Sequence, residues 1–176
     1  TDTKNATARE YIENRFSPST IASKKIGLAP DSFKSLTEAA KKAGYKEEFL
    51  LKTGLIKRGK YWLYDFFINR VVFPIHSRSG QINSFTGRIV PEYDKTATSY
   101  KLKTKTPIYT KVTKKSRYAK YMNLPNTLVY NKSLQLYGFP EACRAIYDEG
   151  EVLLVEGNPD VCTLQDKDVN NVVAPS

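Results

Sequence analysis

Cysteine and histidine are scarce in this 176-residue sequence, which has two cysteines and one histidine. Cys143 and Cys162 form no CxxC pair, and His76 stands alone. A cysteine-rich zinc module is excluded, and neither a Cys–His nucleophile pair nor a Ser-His-Asp triad is supported. Both cysteines lie in apolar stretches of helical spacing. We therefore expect them to pack in the core of a protein from a reducing, cytoplasmic compartment.

Long apolar runs are also lacking, since none exceeds five residues. A membrane-spanning helix needs about 20 apolar residues, and nothing resembles a secretory signal. The sequence predicts neither a transmembrane helix nor a membrane partner. Its length suits one ordinary domain or two small ones.

Acidic residues are missing from Lys95 to Pro140, where ten lysines and arginines occur. The whole chain has 28 basic and 18 acidic residues, so this segment equals the entire surplus of ten. The tail from Glu141 onward is acidic, with eight carboxylates against Arg144 and Lys167. A basic band beside an acidic region suits a polyanion held near bound metal ions.

The basic band alternates lysine with threonine and tyrosine. Lys101, Lys103 and Lys105 would share one face of a strand, and Thr106-Pro107 could turn a β-ribbon. The scarcity of large aliphatic residues fits disorder equally well, so both interpretations stay open. In either case, lysines can neutralise phosphates and tyrosines can stack on the bases of a single strand.

Short helices fill the opening third of the chain. Serine is a good N-cap and proline suits a first helical turn, while glycine ends helices. We predict helices over ATAREYIENR, from Ser17-Pro18 to Gly27, from Asp31 to Gly44, and over Lys46 to Thr53.

Two strands follow, RVVFPI and QINSFTGRIV, joined by a hairpin turn at residues 77–80. Pro74 cannot donate to a sheet ladder, so its strand should lie at an edge or contain a bulge.

The stretch DEGEVLLVEGNPDV has four apolar residues, Val152 to Val155, followed by Glu156 and Gly157. This pattern predicts a buried strand of an α/β sheet, preceded by a helix from Pro140 to Glu149 and followed by a second strand at NNVVA. Ligands bind at the carboxyl ends of such strands. Glu156 would be the last strand residue and Asp160 would begin a helix. A surface acid at a strand end is the alternative that spacing leaves open.

Four motifs, in order, resemble the catalytic core of bacterial replicative primases of the DnaG type. They are DFFINRVVFPIHSRSGQINSFTGR, KYMNLPNT, VYNKSLQLYG and LLVEGNPDV, the last resembling the first Toprim motif. The resemblance implies an α+β fold. Residues 1–145 would form a mixed subdomain of short helices and a bent antiparallel sheet, with a basic insertion at about 91–119, and residues 146–176 would begin a Toprim α/β subdomain.

The resemblance also implies a function, the synthesis of short RNA primers on single-stranded DNA from nucleoside triphosphates with Mg²⁺ or Mn²⁺. Glu156 matches the family's catalytic, metal-binding glutamate and Asp160 the motif's aspartate. Four residues match basic positions of its template and nucleotide groove: Arg70, Arg88, Lys120 and Lys132. The alternative to a binding role is structural. Arg70 and Arg88 would then be strand residues that pair with acids, and Lys132 would be a solvated surface lysine.

Several departures from the family pattern occur. Asn158 stands where tyrosine is frequent, Thr86 where glycine is usual, and the spacing between Arg88 and Lys120 is longer. These favour a divergent member, from a phage or mobile element.

The family's later Toprim aspartates and its preceding zinc module are missing from the sequence. We therefore expect a fragment that binds template but is inactive alone, and whose parent meets a replicative helicase through other regions. A non-catalytic module that binds single-stranded nucleic acid is the alternative. Another Toprim enzyme fits the upstream motifs less well.

Overall fold

The computed structural model describes residues 3–89 and 119–176, with side chains from Ala8 onward. The helices in these ranges are α1 Thr3–Glu13, α2 Pro18–Ser23, α3 Ser35–Lys42, α4 Glu47–Thr53, α5 Phe139–Glu149 and α6 Asn158–Gln165, with a 3-10 helix at Lys132–Leu134. The strands are β1 Gly27–Ala29, β2 Ile56–Arg58, β3 Leu63–Asp65, β4 Arg70–His76, β5 Ile82–Ile89, β6 Tyr121–Asn123, β7 Leu136–Tyr137, β8 Leu153–Leu154 and β9 Val172–Pro175. The predicted α+β class is confirmed. Every helix in the described ranges is too short or too polar to cross a membrane.

Helix α2 begins as predicted and ends early. The Ser17 side chain accepts a hydrogen bond from the Thr20 N–H, and Pro18 occupies the first turn. The predicted end at Gly27 is wrong, because Lys25 takes a φ of 52°, a left-handed conformation that ends helices. Gly27 instead starts β1.

Helix α3 starts at Ser35, later than the predicted Asp31. Its cap comes from a distant strand, since Asp65 in β3 accepts hydrogen bonds from the Leu36 N–H at 2.7 Å and the Thr37 N–H at 3.0 Å. Such a cap satisfies amide groups at a helix start, and nothing local in the sequence shows it. Helix α4 ends at Gly54, with a φ of 75°, as predicted.

A four-stranded antiparallel sheet, ordered β1-β4-β5-β6, positions the candidate site. The predicted hairpin joins β4 to β5, and Gly80 turns it with a φ of 78°. The prediction for Pro74 is confirmed by a bulge, whereas β4 is not an edge strand, because it lies between β1 and β5. Strand β1 pairs only with residues 70–72 of β4, so Pro74 lies beyond that pairing, and a bulge follows between Ile75 and His76.

The main core lies between this sheet, α1 and α6. Phe73 of β4 makes edge-to-face contacts with Phe16, at 6.1 Å between ring centroids, and with Tyr137, at 6.5 Å. Val161 and Val172 pack in the same cluster. The core is therefore continuous across the boundary predicted at residue 145, and the boundary itself stays a prediction.

The second sheet has the order β7-β9-β8, with β8 parallel and β7 antiparallel to β9. Both predicted strands are present, but the prediction that the first is buried is wrong. Val152, Leu153 and Leu154 are 53%, 42% and 62% exposed. Because successive strand residues point to opposite faces, the described part of the chain covers neither face of β8.

The two cysteines differ in environment. Cys162 is buried, as predicted, 3.3 Å from the Tyr137 hydroxyl, and burial raises its pKa to about 11. The core-packing prediction for Cys143 is wrong. Helix α5 turns its neighbour Ala142 inward, and Cys143 is exposed.

An ion pair between a buried lysine and a partly exposed glutamate joins α5 to the segment that ends α2. Lys24 Nζ lies 2.9 Å from Glu141 Oε1, with only 8% of the lysine side chain exposed. His76 Nδ1 lies 3.7 Å from the same oxygen. Burial acts to raise the pKa of Glu141, but the charge and hydrogen bonding of Lys24 outweigh it and the pKa is lowered.

We predict that Glu141→Gln lowers the free energy of unfolding by about 3 kcal/mol, because it leaves the Lys24 ammonium buried without its counter-ion. Urea unfolding of the 176-residue chain measures the change. Glu149→Gln, on the exposed surface of the same helix, is the control. Since folding lowers the pKa of Glu141, its stabilisation is present at neutral pH and is lost as the pH falls through the folded-state pKa. Equal stability of both variants would contradict the prediction.

Candidate functional site

Arg88 of β5 lies between two tyrosines from different elements. It stands opposite Tyr121 in the pairing of β5 with β6, and its Nη1 donates to the Tyr11 hydroxyl of α1. The guanidinium carbon is 4.7 Å from the centre of the Tyr11 ring and 6.0 Å from that of Tyr121. Cation–π contacts of this kind orient the guanidinium without neutralising its charge.

Arg15, just after α1, continues the contacts toward α6. Its Nη1 donates to the same Tyr11 hydroxyl at 3.2 Å, and its Nη2 lies 3.6 Å from Asp160 Oδ1. The side chains of Arg15 and Asp160 are 35% and 49% exposed. We call Tyr11, Arg15, Arg88, Tyr121 and Asp160 the arginine–tyrosine cluster. It links two predicted site residues, Arg88 and Asp160, from separate elements.

The cluster keeps a positive charge near neutral pH. Burial raises the pKa of Tyr121, an effect that Arg88 only partly offsets, so this hydroxyl stays protonated. Lys120 Nζ adds a further cation 5.9 Å from the Tyr121 ring. Asp160 is the one carboxylate in the cluster, against two arginines.

Sequence reasoning did not name Arg15 as a site residue. The available signal was its place four residues after Tyr11, on one face of the first helix, which makes the two side chains neighbours. Nothing local connected that helix to Asp160.

Arg70 is buried, with 2% exposure. Its Nη1 donates to the carbonyls of Gly87 and Ala119, both at 3.0 Å. Burial lowers its pKa to about 10, so it remains charged at neutral pH. This position lets Arg70 fix the end of β5 against the segment that leads into β6.

Gly87 is required by close packing. An added Cβ would lie 2.5 Å from the Phe67 ring and 3.1 Å from Arg70 Cδ. Thr86, which the resemblance predicts to replace a glycine, is buried, and its hydroxyl lies 3.3 Å from the Met122 carbonyl and contacts Asn123. The sheet therefore accommodates this departure within the β5–β6 pairing.

The described residues that flank the predicted basic insertion lie beside the cluster. The Ile89 N–H donates to the Lys120 carbonyl at 2.9 Å, and Arg70 holds the carbonyl of Ala119. Ile89 and Ala119, the described residues on either side of residues 90–118, therefore lie next to Arg88 and Lys120. Lys101, Lys103 and Lys105 lie outside the described residues.

Glu156 lies two residues beyond β8, so its predicted place on the last strand residue is wrong. The strand ends at Leu154, although the Val155 N–H still donates to the Val173 carbonyl at 2.9 Å. Glu156 is exposed at the carboxyl end of β8. Asp160 is in the first turn of α6, as predicted.

These carboxylates do not by themselves fit a metal site. Within residues 3–89 and 119–176, no three acidic, histidine or cysteine side chains come together around a possible ion. Asp160 already faces Arg15. Magnesium prefers several oxygen ligands in a near-octahedral arrangement, so we derive no chemical step through a metal from this chain.

Lys132 lies on the exposed 3-10 helix, where its N–H donates to Asn126 Oδ1 at 3.0 Å. Neither Lys132 nor Glu156 is among the residues that the cluster contacts connect. The structure thus brings together Arg88, Lys120 and Asp160 of the predicted set, and places Arg70 beneath them in the sheet.

Comparison with known proteins identifies the family. Residues 1–143 match the family model described as DNA primase catalytic core, N-terminal domain. The DNA primase of Listeria innocua is 32% identical over 171 residues, covering 96% of this chain and 24% of the relative. That of Aquifex aeolicus is 32% identical over 173 residues, covering 98% and 30%. The chain therefore spans less than a third of the length of these curated relatives.

Solved structures agree in fold. The RNA polymerase domain of Mycobacterium tuberculosis primase DnaG is similar with a TM-score of 0.78 and 28% identity, over 99% of this chain and 50% of that one. A DnaG primase catalytic domain bound to single-stranded DNA gives a TM-score of 0.72 and 29% identity, over 100% and 48%. With residues 1–143 matched to its model, the chain belongs to the DNA primase family and carries the N-terminal domain of the primase catalytic core.

Proposed function

We propose that this chain holds single-stranded DNA template and nucleoside triphosphates in a DNA primase that makes short RNA primers. The arginine–tyrosine cluster is the observation that carries the proposal. It connects Arg88 on the sheet to Asp160 in the first turn of α6 through Tyr11 and Arg15, so that two guanidinium groups and one carboxylate belong to one group of contacting side chains. A relative of the same fold was solved with single-stranded DNA bound.

The chemistry of the cluster suits phosphate. Guanidinium groups present paired N–H donors that match phosphate oxygens, and Arg88 and Arg15 are both held in place by the Tyr11 hydroxyl. Arg88, Arg15 and Lys120 would contact the nucleic-acid or triphosphate phosphates. Arg70 would act as a positioning residue, and Lys132 would contact the strand farther away.

Glu156 and Asp160 would serve nucleotidyl transfer at the start of a Toprim subdomain, over residues 146–176. Where further carboxylates complete the site, Mg²⁺ or Mn²⁺ would stabilise the charge on the phosphates. A replicative helicase partner, a cytoplasmic location and an origin in a phage or mobile element remain predictions.

The alternative function is a non-catalytic module that binds single-stranded nucleic acid. The ion pair of Asp160 with Arg15 favours it, since a carboxylate that neutralises an arginine is a poor metal ligand. A primer-synthesis assay on a full-length protein that carries this chain separates the two. Template-dependent RNA products support the primase, and DNA binding without products supports the module.

Changing Lys101, Lys103 and Lys105 together to alanine is expected to weaken the binding of single-stranded DNA. Each lost phosphate contact flattens the slope of log K against log salt by about 0.7. Titrations of a labelled oligonucleotide at several salt concentrations measure both effects. Lys167→Ala, an exposed lysine in the acidic tail, is the control. Unchanged affinity and slope in the triple variant would show that the basic insertion does not bind the strand.

A further inference from the structure

The β2–β3 hairpin exposes two large aromatic side chains at its tip. Tyr61 is 76% exposed and Trp62 is 52% exposed. They follow Arg58 and Lys60, and the Lys60 ammonium lies 4.9 Å from the centre of the Tyr61 ring. We call residues 58–62 the hairpin tip. Cations interleaved with open aromatic faces are the side-chain types that contact single-stranded nucleic acid.

The hairpin supports these rings on a defined backbone. The Gly59 N–H donates to the Trp62 carbonyl at 2.8 Å, and Arg58 pairs with Leu63 across the two strands. At the base of the hairpin, Ile56 is fully buried and packs with Leu50 of α4. Because the hairpin orders the Tyr61 and Trp62 rings before a strand binds, less side-chain entropy is lost on binding.

The surrounding lobe is basic. Residues 34–64 contain eight lysines and arginines against three glutamates, a surplus of five. The nearest further acid, Asp65, is buried and caps α3. A local excess of positive charge attracts a negatively charged ligand. The lobe therefore favours a polyanion over a positively charged or purely apolar partner.

We propose that the hairpin tip is a second binding surface for single-stranded nucleic acid. Bases would stack on Tyr61 and Trp62, and phosphates would lie against Arg58 and Lys60. The tip belongs to a two-stranded sheet separate from the one that carries Arg88. It would therefore hold a different part of the strand, and it rests on the proposed function only in sharing that ligand. A duplex keeps its base faces stacked internally, so the tip should prefer single strands.

Trp62 provides a local readout, because it is the only tryptophan in the chain. We expect oligothymidylate of about 15 nucleotides, within the site sizes common for such surfaces, to quench its fluorescence saturably. A duplex of equal length should quench it far less. Replacing Tyr61 and Trp62 together by alanine should lower the affinity for a labelled oligonucleotide roughly tenfold, since each stacked base contributes substantially to binding.

Two controls keep the test sharp. Tyr147→Ala removes a tyrosine that is 82% exposed but adjoins Asp148 and Glu149, and it should leave the affinity unchanged. Replacing Tyr61 and Trp62 by phenylalanine keeps the stacking faces and should restore most of the binding. An alanine variant that lost affinity only through misfolding would show an altered unfolding midpoint, and the phenylalanine variant then decides the matter.

Binding of the oligonucleotide without quenching of Trp62, or with full affinity in the alanine variant, would overturn the proposal. In that case the proposed function is judged separately, and it stands when the full-length protein still makes primers. Conversely, quenching of Trp62 in a protein that makes no primers would support the tip while refuting the primase function. No oligonucleotide binding at all would refute the hairpin tip as a binding surface.

Discussion

Replacing Glu156 by glutamine in a full-length primase that carries these residues is expected to reduce primer synthesis at least about a hundredfold, the usual scale for removing a catalytic acid or base. Glutamine keeps the size of the side chain and removes the charge. Glu156 is exposed at the carboxyl end of β8, so the change should cost little stability. Template binding should stay nearly constant, because the residues proposed to bind phosphate lie elsewhere.

The measurement compares initial rates of primer formation with the affinity for labelled template. Glu151→Gln is the matched control, since Glu151 is an exposed acid just before the amino end of the same strand. This variant should keep the normal rate. A normal rate in the Glu156 variant would make this residue an ordinary surface acid. A parallel loss of template affinity would indicate a role in binding.

The parts of the fold that are encoded locally could be predicted from the sequence. The hairpin turning at Gly80 depends on residues within a few positions of one another, and so do the N-cap at Ser17 and the end of α4 at Gly54. The strand before Glu156 is also local, since its apolar run and flanking turn residues define it. In each case residues within a few positions of one another determine the feature.

Features that depend on distant partners could not be predicted. The late start of α3 comes from Asp65, about thirty positions away in the chain. The contact of Arg15 with Asp160 joins the two ends of the sequence, and periodicity contains no information about it. The prediction that β8 is buried failed for the same reason. The apolar character of Leu154 predicted an interior position, whereas the described chain supplies nothing to cover it.

The second large effect concerns the 176-residue chain alone, which is expected to bind single-stranded DNA and to make no primers. The proposed binding uses the arginine–tyrosine cluster and the basic residues, which the chain contains. Nucleotidyl transfer with metal ions needs several carboxylates arranged around them. The described residues provide only exposed Glu156 and Asp160 near the end of β8, and Asp160 faces Arg15.

Exposure of Leu153 and Leu154 adds a second physical reason for inactivity. A strand with neither face covered gains little free energy from burial, and local opening of weakly packed elements is common. Glu156 would then sample several orientations in the isolated chain, whereas catalysis requires a carboxylate held close to its productive position.

Incubating the chain with template, nucleoside triphosphates and Mg²⁺ or Mn²⁺ tests this expectation directly, with a full-length primase as the positive control. Oligonucleotide binding measured in the same samples shows that the chain is folded and competent. Binding without primers matches the expectation. Template-dependent primers from the chain would contradict the expectation and show that these 176 residues complete the catalytic metal site.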